Sequence, residues 1–144
     1  MHVEVALCLP KEVTTVSLIR GIAAHALATF GVTTACIENI CLALSEACTN
    51  VIDHAEADDE YEVRLEVDDE QCAISVKNTA NGFDAASLSG VMPDGDSARG
   101  RGVAIMRAVM DHVDFVSEPE TGMIVHLLKR LDVETDGPLA RLRR

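Results

Sequence analysis

A carboxylate and a side-chain amide stand four residues apart in Ser45-Glu46-Ala47-Cys48-Thr49-Asn50, and residues at i and i+4 share one helical face. Farther on, Gly100-Arg101-Gly102 precedes an apolar, helix-compatible run, Val103-Ala104-Ile105-Met106. Each part suits phosphoryl chemistry. A carboxylate can accept the proton of an attacking hydroxyl or hold that hydroxyl in line. An amide oxygen can ligate Mg²⁺, which takes only one or two protein ligands beside substrate phosphates and keeps several waters. Glycines at a helix start let backbone N–H groups approach phosphate oxygens, where the helix dipole favours negative charge. Arg99 and Arg101 add cations at the same place. Alone, Glu46 and Asn50 would be solvated helix residues and the glycines an ordinary turn; in combination they read as a nucleotide site. His54, one turn beyond Asn50, is a candidate phosphate or ribose contact, and equally a structural histidine.

The elements that must position these residues can be read from periodicity. Val3, Val5 and Leu7 alternate with other residues as a first strand, and Pro10 breaks it before a helix over 12–30. In that helix Val16, Ile19, Ala23, Ala26, Leu27 and Phe30 form an apolar stripe, with Gly31 as the residue helices favour just past their end. Thr33 or Thr34 caps a second helix over 35–55. Its apolar stripe is Ile37, Ile40, Cys41, Leu44, Cys48 and Val51, which leaves the face of Glu46 and Asn50 for water or a ligand. Tyr61, Val63, Leu65 and Val67 alternate strictly with charged residues, and an acidic turn leads to Cys72, Ile74 and Val76, giving an antiparallel hairpin. Residues 78–99 carry no periodicity and read as a long functional loop, a lid over a bound triphosphate. A third helix is expected over 101–111, with Val103, Met106, Val109 and Met110 toward the core, followed by strands at 113–117 and 122–129. This order predicts an α+β fold, a two-layer sandwich of a mainly antiparallel mixed sheet with helices on one face. A Rossmann unit is excluded, because the glycines do not join a strand to a crossover helix.

With 144 residues, one core domain is expected over 1–131, followed by a flexible polar tail over 132–144. The apolar share of 48% is spread in short runs, none reaching the roughly 18 residues of a membrane span. The N-terminus lacks the pattern of a secretory signal, which makes the cytoplasm the expected compartment and no membrane contact expected. Cys8, Cys36, Cys41, Cys48 and Cys72 form no CxxC and read as small core residues in a reducing compartment. A net charge of −12 argues against direct nucleic-acid binding, which depends on Lys and Arg neutralising phosphates. It is compatible with a basic protein partner or with solubility alone.

Across residues 3–130 three motifs occur in order: Glu46-x-x-x-Asn50, Asn78-Thr-Ala80-Asn-Gly82, and Gly100-Arg101-Gly102 before an apolar helix. The set resembles the anti-sigma factor serine kinases of the RsbW and SpoIIAB type. These belong to the ATPase superfamily of gyrase, Hsp90 chaperones, histidine kinases and MutL, which has the Bergerat or histidine-kinase-like ATPase fold. The resemblance implies ATP and Mg²⁺ as cofactors, Glu46 as the catalytic residue and Asn50 as the metal ligand. It further implies nucleotide contacts from Asn50, His54, Asn78, Gly82, Gly100, Arg101, Gly102 and Val103. It implies an anti-sigma factor that sequesters a sigma factor, phosphorylates a Ser or Thr of a STAS-type anti-anti-sigma factor, and forms a homodimer. Arg20 matches a family position facing protein partners and is otherwise a surface arginine.

Three departures bear on activity. Asn78 stands where the family has an Asp that accepts a hydrogen bond from the adenine amino group. The neutral acceptor costs about 1–2 kcal/mol, roughly tenfold in affinity. The amide can also donate to guanine O6, so weaker discrimination of ATP from GTP is expected. Ala80 replaces a glycine, and Thr121-Gly122-Met123 replaces the usual Gly-Thr. These changes support an alternative, a catalytically weak or inactive ATP-binding-fold protein acting only as a protein-binding module. A detached histidine-kinase domain ranks below both, for want of a helical dimerisation segment bearing a phosphoacceptor histidine.

Overall fold

The computed structural model describes residues 1–53, 60–78, 98–118 and 122–143. In chain order the elements are β1 (His2–Pro10), α1 (Val13–Thr29), α2 (Thr34–Asp53), β2 (Glu60–Asp68), β3 (Gln71–Asn78), α3 (Ala98–Val109), β4 (His112–Glu118), β5 (Gly122–Arg130) and α4 (Pro138–Arg143). The strands form a five-stranded sheet in the order β1-β2-β3-β5-β4. Among the described residues every ladder is antiparallel. Period-2 alternation sets its two faces. Tyr61, Val63, Leu65 and Val67 on β2, with Cys72, Ile74, Val76 and Asn78 on β3, are buried. The other face carries charge, including an Arg64 pair with Glu4 and Glu62.

The core lies between the inward sheet face and the helices. On α1, Thr15, Ile19, Ala23 and Leu27 are buried at steps of four, so one row of side chains points inward. The helix ends in a Schellman motif: Val32 N–H donates to Leu27 O at 3.1 Å and Gly31 N–H to Ala28 O at 3.0 Å. Gly31 sits at φ 81°, a conformation that favours glycine. Thr33 Oγ1 then accepts from Cys36 N–H at 3.3 Å and caps α2.

By length and composition α2 could cross a bilayer, but 50% of its apolar window is buried inside the domain. It is the central helix, packed on α1, α3 and the sheet. Its buried set includes Ala43, Ala47 and Asn50 as well as the expected Ile40, Leu44, Cys48 and Val51. The side bearing Asn50 therefore faces protein, not open water. Ala43 and Ala47 are small, which lets α3 approach closely on that side.

Residues 132–143 depart from the expected flexible tail. Val32 pairs with Val133 in an isolated bridge, and Glu134 N–H donates to Gly31 O at 2.7 Å. Leu139 on α4 is fully buried, and its N–H donates to Phe30 O at 3.2 Å. Arg143 reaches back to the carbonyl oxygens of Asp69, Glu70 and Leu131. A composition dominated by polar residues hid one leucine with a pocket to fill.

Candidate functional site

Glu46 and Asn50 lie one turn apart on α2, and the start of α3 lies against them. Around Gly102 the packing is close enough that a Cβ there would stand 2.7 Å from Glu46 Oε2 and 3.6 Å from Asn50 Oδ1. Only glycine leaves this carboxylate where it is, since a heavy-atom approach under 3 Å is repulsive. Both glycines fall inside α3, which begins at Ala98, three residues before the expected start at 101. Gly102 thus acts by lacking a side chain beside Glu46.

Asn50 is 5% exposed, and its Nδ2 is a buried donor with no acceptor among the described residues. Such an atom costs about 1–3 kcal/mol, and buried polar atoms are nearly always satisfied. A ligand oxygen at this position would remove the penalty. Among the described residues no group of three or more His, Cys, Asp or Glu could hold a metal. A magnesium ion on Asn50 would therefore draw its other ligands from phosphates and water, which is its usual manner of binding. The missing Cβ at Gly102 and the orphaned amide together fit an anionic ligand with its cation.

A second group of polar side chains is buried where α1 begins. Lys11 Nζ donates to Asn78 Oδ1 at 2.5 Å, with Lys11 7% and Asn78 1% exposed. Tyr61, the Cα partner of Asn78 across the β2–β3 ladder, shares a 2.6 Å hydrogen bond with Thr15. Thr15 Oγ1 also lies 2.7 Å from the Glu12 carbonyl, so the tyrosine hydroxyl donates to threonine and threonine to the backbone. Burial pushes both Tyr61 and Cys48 of α2 up to about 12. Both stay neutral at ordinary pH, which suits an interior with little solvation. Met123 is buried too, one step beyond the Lys77↔Ile124 pair of the β3–β5 ladder.

The sequence-predicted residues therefore fall into three sets. Glu46, Asn50 and Gly102 are brought together, with Gly100 buried nearby and Arg101 exposed. Val103 is 2% exposed and belongs to the hydrophobic core, so any ligand contact from it must use its backbone. Asn78 is buried at the end of β3, and Arg20 is exposed on α1 beside Cys41. His54, Ala80, Gly82 and residues 83–97 of the proposed lid lie outside the described residues, while the last two positions assigned to the lid, 98 and 99, belong to α3. Lys11, Thr15 and Tyr61 were missed as polar neighbours of the site. One signal existed for Thr15, a hydroxyl residue in the row that continues through Ile19, Ala23 and Leu27; Lys11 gave none.

The fold is similar to the crystal structure of the RsbU and RsbW domains of Rv1364c from Mycobacterium tuberculosis, with a TM-score of 0.64 and 18% identity. The match covers 90% of this chain and 32% of that one, so this chain spans about a third of that protein's length. At this identity the likeness is one of fold. Comparison with curated proteins finds no match. Residues 9–129, which include both α2 motif residues and the glycines of α3, match the histidine kinase-like ATPase domain. The chain belongs to the histidine kinase-like ATPase domain family.

Proposed function

We propose that this ATPase-fold domain is a partner-switching regulator: a cytoplasmic anti-sigma factor that binds ATP·Mg²⁺, sequesters a sigma factor and phosphorylates a Ser or Thr of a STAS-type antagonist. The observation that carries the reading is the meeting of Glu46, the orphaned amide of Asn50 and the bare Cα of Gly102. The likeness in fold to a protein described as containing an RsbW domain supports the same class.

In this reading Asn50 holds the cation and its Nδ2 finds an acceptor on the ligand. Magnesium, when bound, neutralises charge on the phosphates. Glu46 takes the proton of the antagonist's hydroxyl as the oxygen attacks the terminal phosphate. The backbone at the start of α3, with Arg101 beside it, attracts the phosphates. Arg20 on exposed α1 is the proposed partner contact, and the domain works as a homodimer.

A second reading keeps the fold and the protein contacts but not the transfer. It is favoured by the Lys11–Asn78 hydrogen bond and by buried Met123 in place of a hydroxyl. Labelled ATP·Mg²⁺ incubated with candidate antagonist proteins separates the two. In the first reading label moves to the antagonist; Glu46→Gln lowers the rate by about 10²–10⁴-fold while nucleotide still binds, and Asn50→Ala abolishes Mg²⁺-dependent binding. Nucleotide binding with no transfer by the wild-type protein selects the second.

A further inference from the structure

One carboxylate on the side of α2 that bears Glu46 and Asn50 has no task in phosphoryl transfer: Asp53, the last residue of the helix. Positions 46, 50 and 53 are spaced by four and three residues, so their side chains share one helical face. Helical side chains lean toward the N-terminus, which carries the Asp53 carboxylate back over the turn that holds Asn50. Burial falls along this face, from Asn50 at 5% exposed to an exposed Asp53.

The protein around Asp53 does not account for it. Among the described residues no hydrogen bond or ion pair reaches its carboxylate, and the last turn of α2 carries no basic residue. A carboxylate in that turn opposes the helix dipole. One turn back, the Nδ2 atom of Asn50 is buried without an acceptor among the described residues. A buried amide with an open end and an unpaired carboxylate thus stand together on one face. A divalent cation with its phosphates answers both, because amide and carboxylate oxygens are the ligands a hard cation takes. An ion at the edge of the interior also keeps waters on its open side, as magnesium does.

We propose that Asp53 is a second protein ligand of the cation, so that Asn50 and Asp53 hold the ion from α2. This rests on the nucleotide reading above and adds a residue to it. The two helices then have complementary tasks. The end of α2 offers oxygen and negative charge to the metal, while the start of α3 offers bare backbone at Gly102 and the guanidinium of Arg101 to the phosphates. With no ion present, the Asp53 carboxylate repels the triphosphate, which ties nucleotide binding to the metal.

The test is calorimetric titration of the full chain with ATP, in Mg²⁺ and in EDTA, for wild type, Asp53→Asn and Asp53→Ala. The readout is the ratio of the two affinities, which by linkage measures how far the protein favours the metal-loaded nucleotide. Asp53→Ala is expected to lower this ratio by about tenfold or more. It weakens binding in Mg²⁺ through the lost ligand, and strengthens binding in EDTA because a negative charge near the phosphates is gone. Asp53→Asn keeps an oxygen and loses the charge, and its ratio should fall between the other two. Since Asp53 is exposed, both variants should unfold at the wild-type urea midpoint. A carboxylate that serves only the fold would change both affinities together. An unchanged ratio in Asp53→Ala, or a wild-type ratio near one, overturns the inference and leaves nucleotide binding standing. Absence of ATP binding to the folded wild type in either buffer overturns the nucleotide reading and this inference with it.

Discussion

Glu46 is held by what is missing opposite it. Because a Cβ at position 102 would approach its Oε2 to 2.7 Å, Gly102→Ala must displace the carboxylate. The atom in the way is the far end of a flexible side chain, so the displacement costs only about 0.5–1.5 kcal/mol in rotamer strain. The effect on chemistry should be larger, since a shift of about 1 Å in a positioning group can cost on the order of 10²-fold in rate. The expected outcome for Gly102→Ala is a thermal midpoint close to wild type with phosphoryl transfer reduced tenfold or more. Equal transfer rates in the two proteins would detach Glu46 from the chemistry. At this scale the α2 residues were legible because a four-residue spacing is a local property of a helix. What Gly102 does was not, because its neighbour is on another element.

Elements fared similarly. Both long helices, the β2–β3 hairpin and the β4–β5 pair were readable from periods of 3.6 and 2, and the helix end at Gly31 from residue type. The segment after β5 was not, because Leu139 stands among arginines and no pattern in so short a helix marks an inward face. Its side chain is fully buried, and α4 is held over the end of α1 through the Phe30 and Gly31 carbonyls. Leu139→Ala should therefore destabilise the domain by about 2–5 kcal/mol, read from the midpoint of urea unfolding at constant slope. A change under about 0.5 kcal/mol would be that of a solvent-exposed leucine and would restore the tail to a loose appendage.

For the molecule as a whole, the packed interior makes stability depend on alkaline pH. Burial raises Cys48 and Cys72 from 9.0 and Tyr61 from 10.0, each to about 12. An acid held more tightly in the folded state gives stability that is complete below its unfolded value and lost as pH climbs through the folded one. Stability should thus hold to about pH 9 and fall steadily from there toward pH 12. The chain has one Tyr and no Trp, so phenolate absorbance follows Tyr61 alone. Its midpoint should lie well above 10 in native buffer and near 10 in denaturant; coincident curves would mean that Tyr61 meets water. By itself the sequence determined the order of elements from β1 to β5, the inward faces of α1, β2 and β3, and the pairing of Glu46 with Asn50, because all of these are set by neighbours within a few residues. Only the tertiary structure decided that α3 closes on Asn50, that Gly31 meets Gly137, and that Lys11 finds Asn78 across 67 residues of chain. Those contacts follow from how a sheet and its helices pack, and packing leaves no period in the sequence to read.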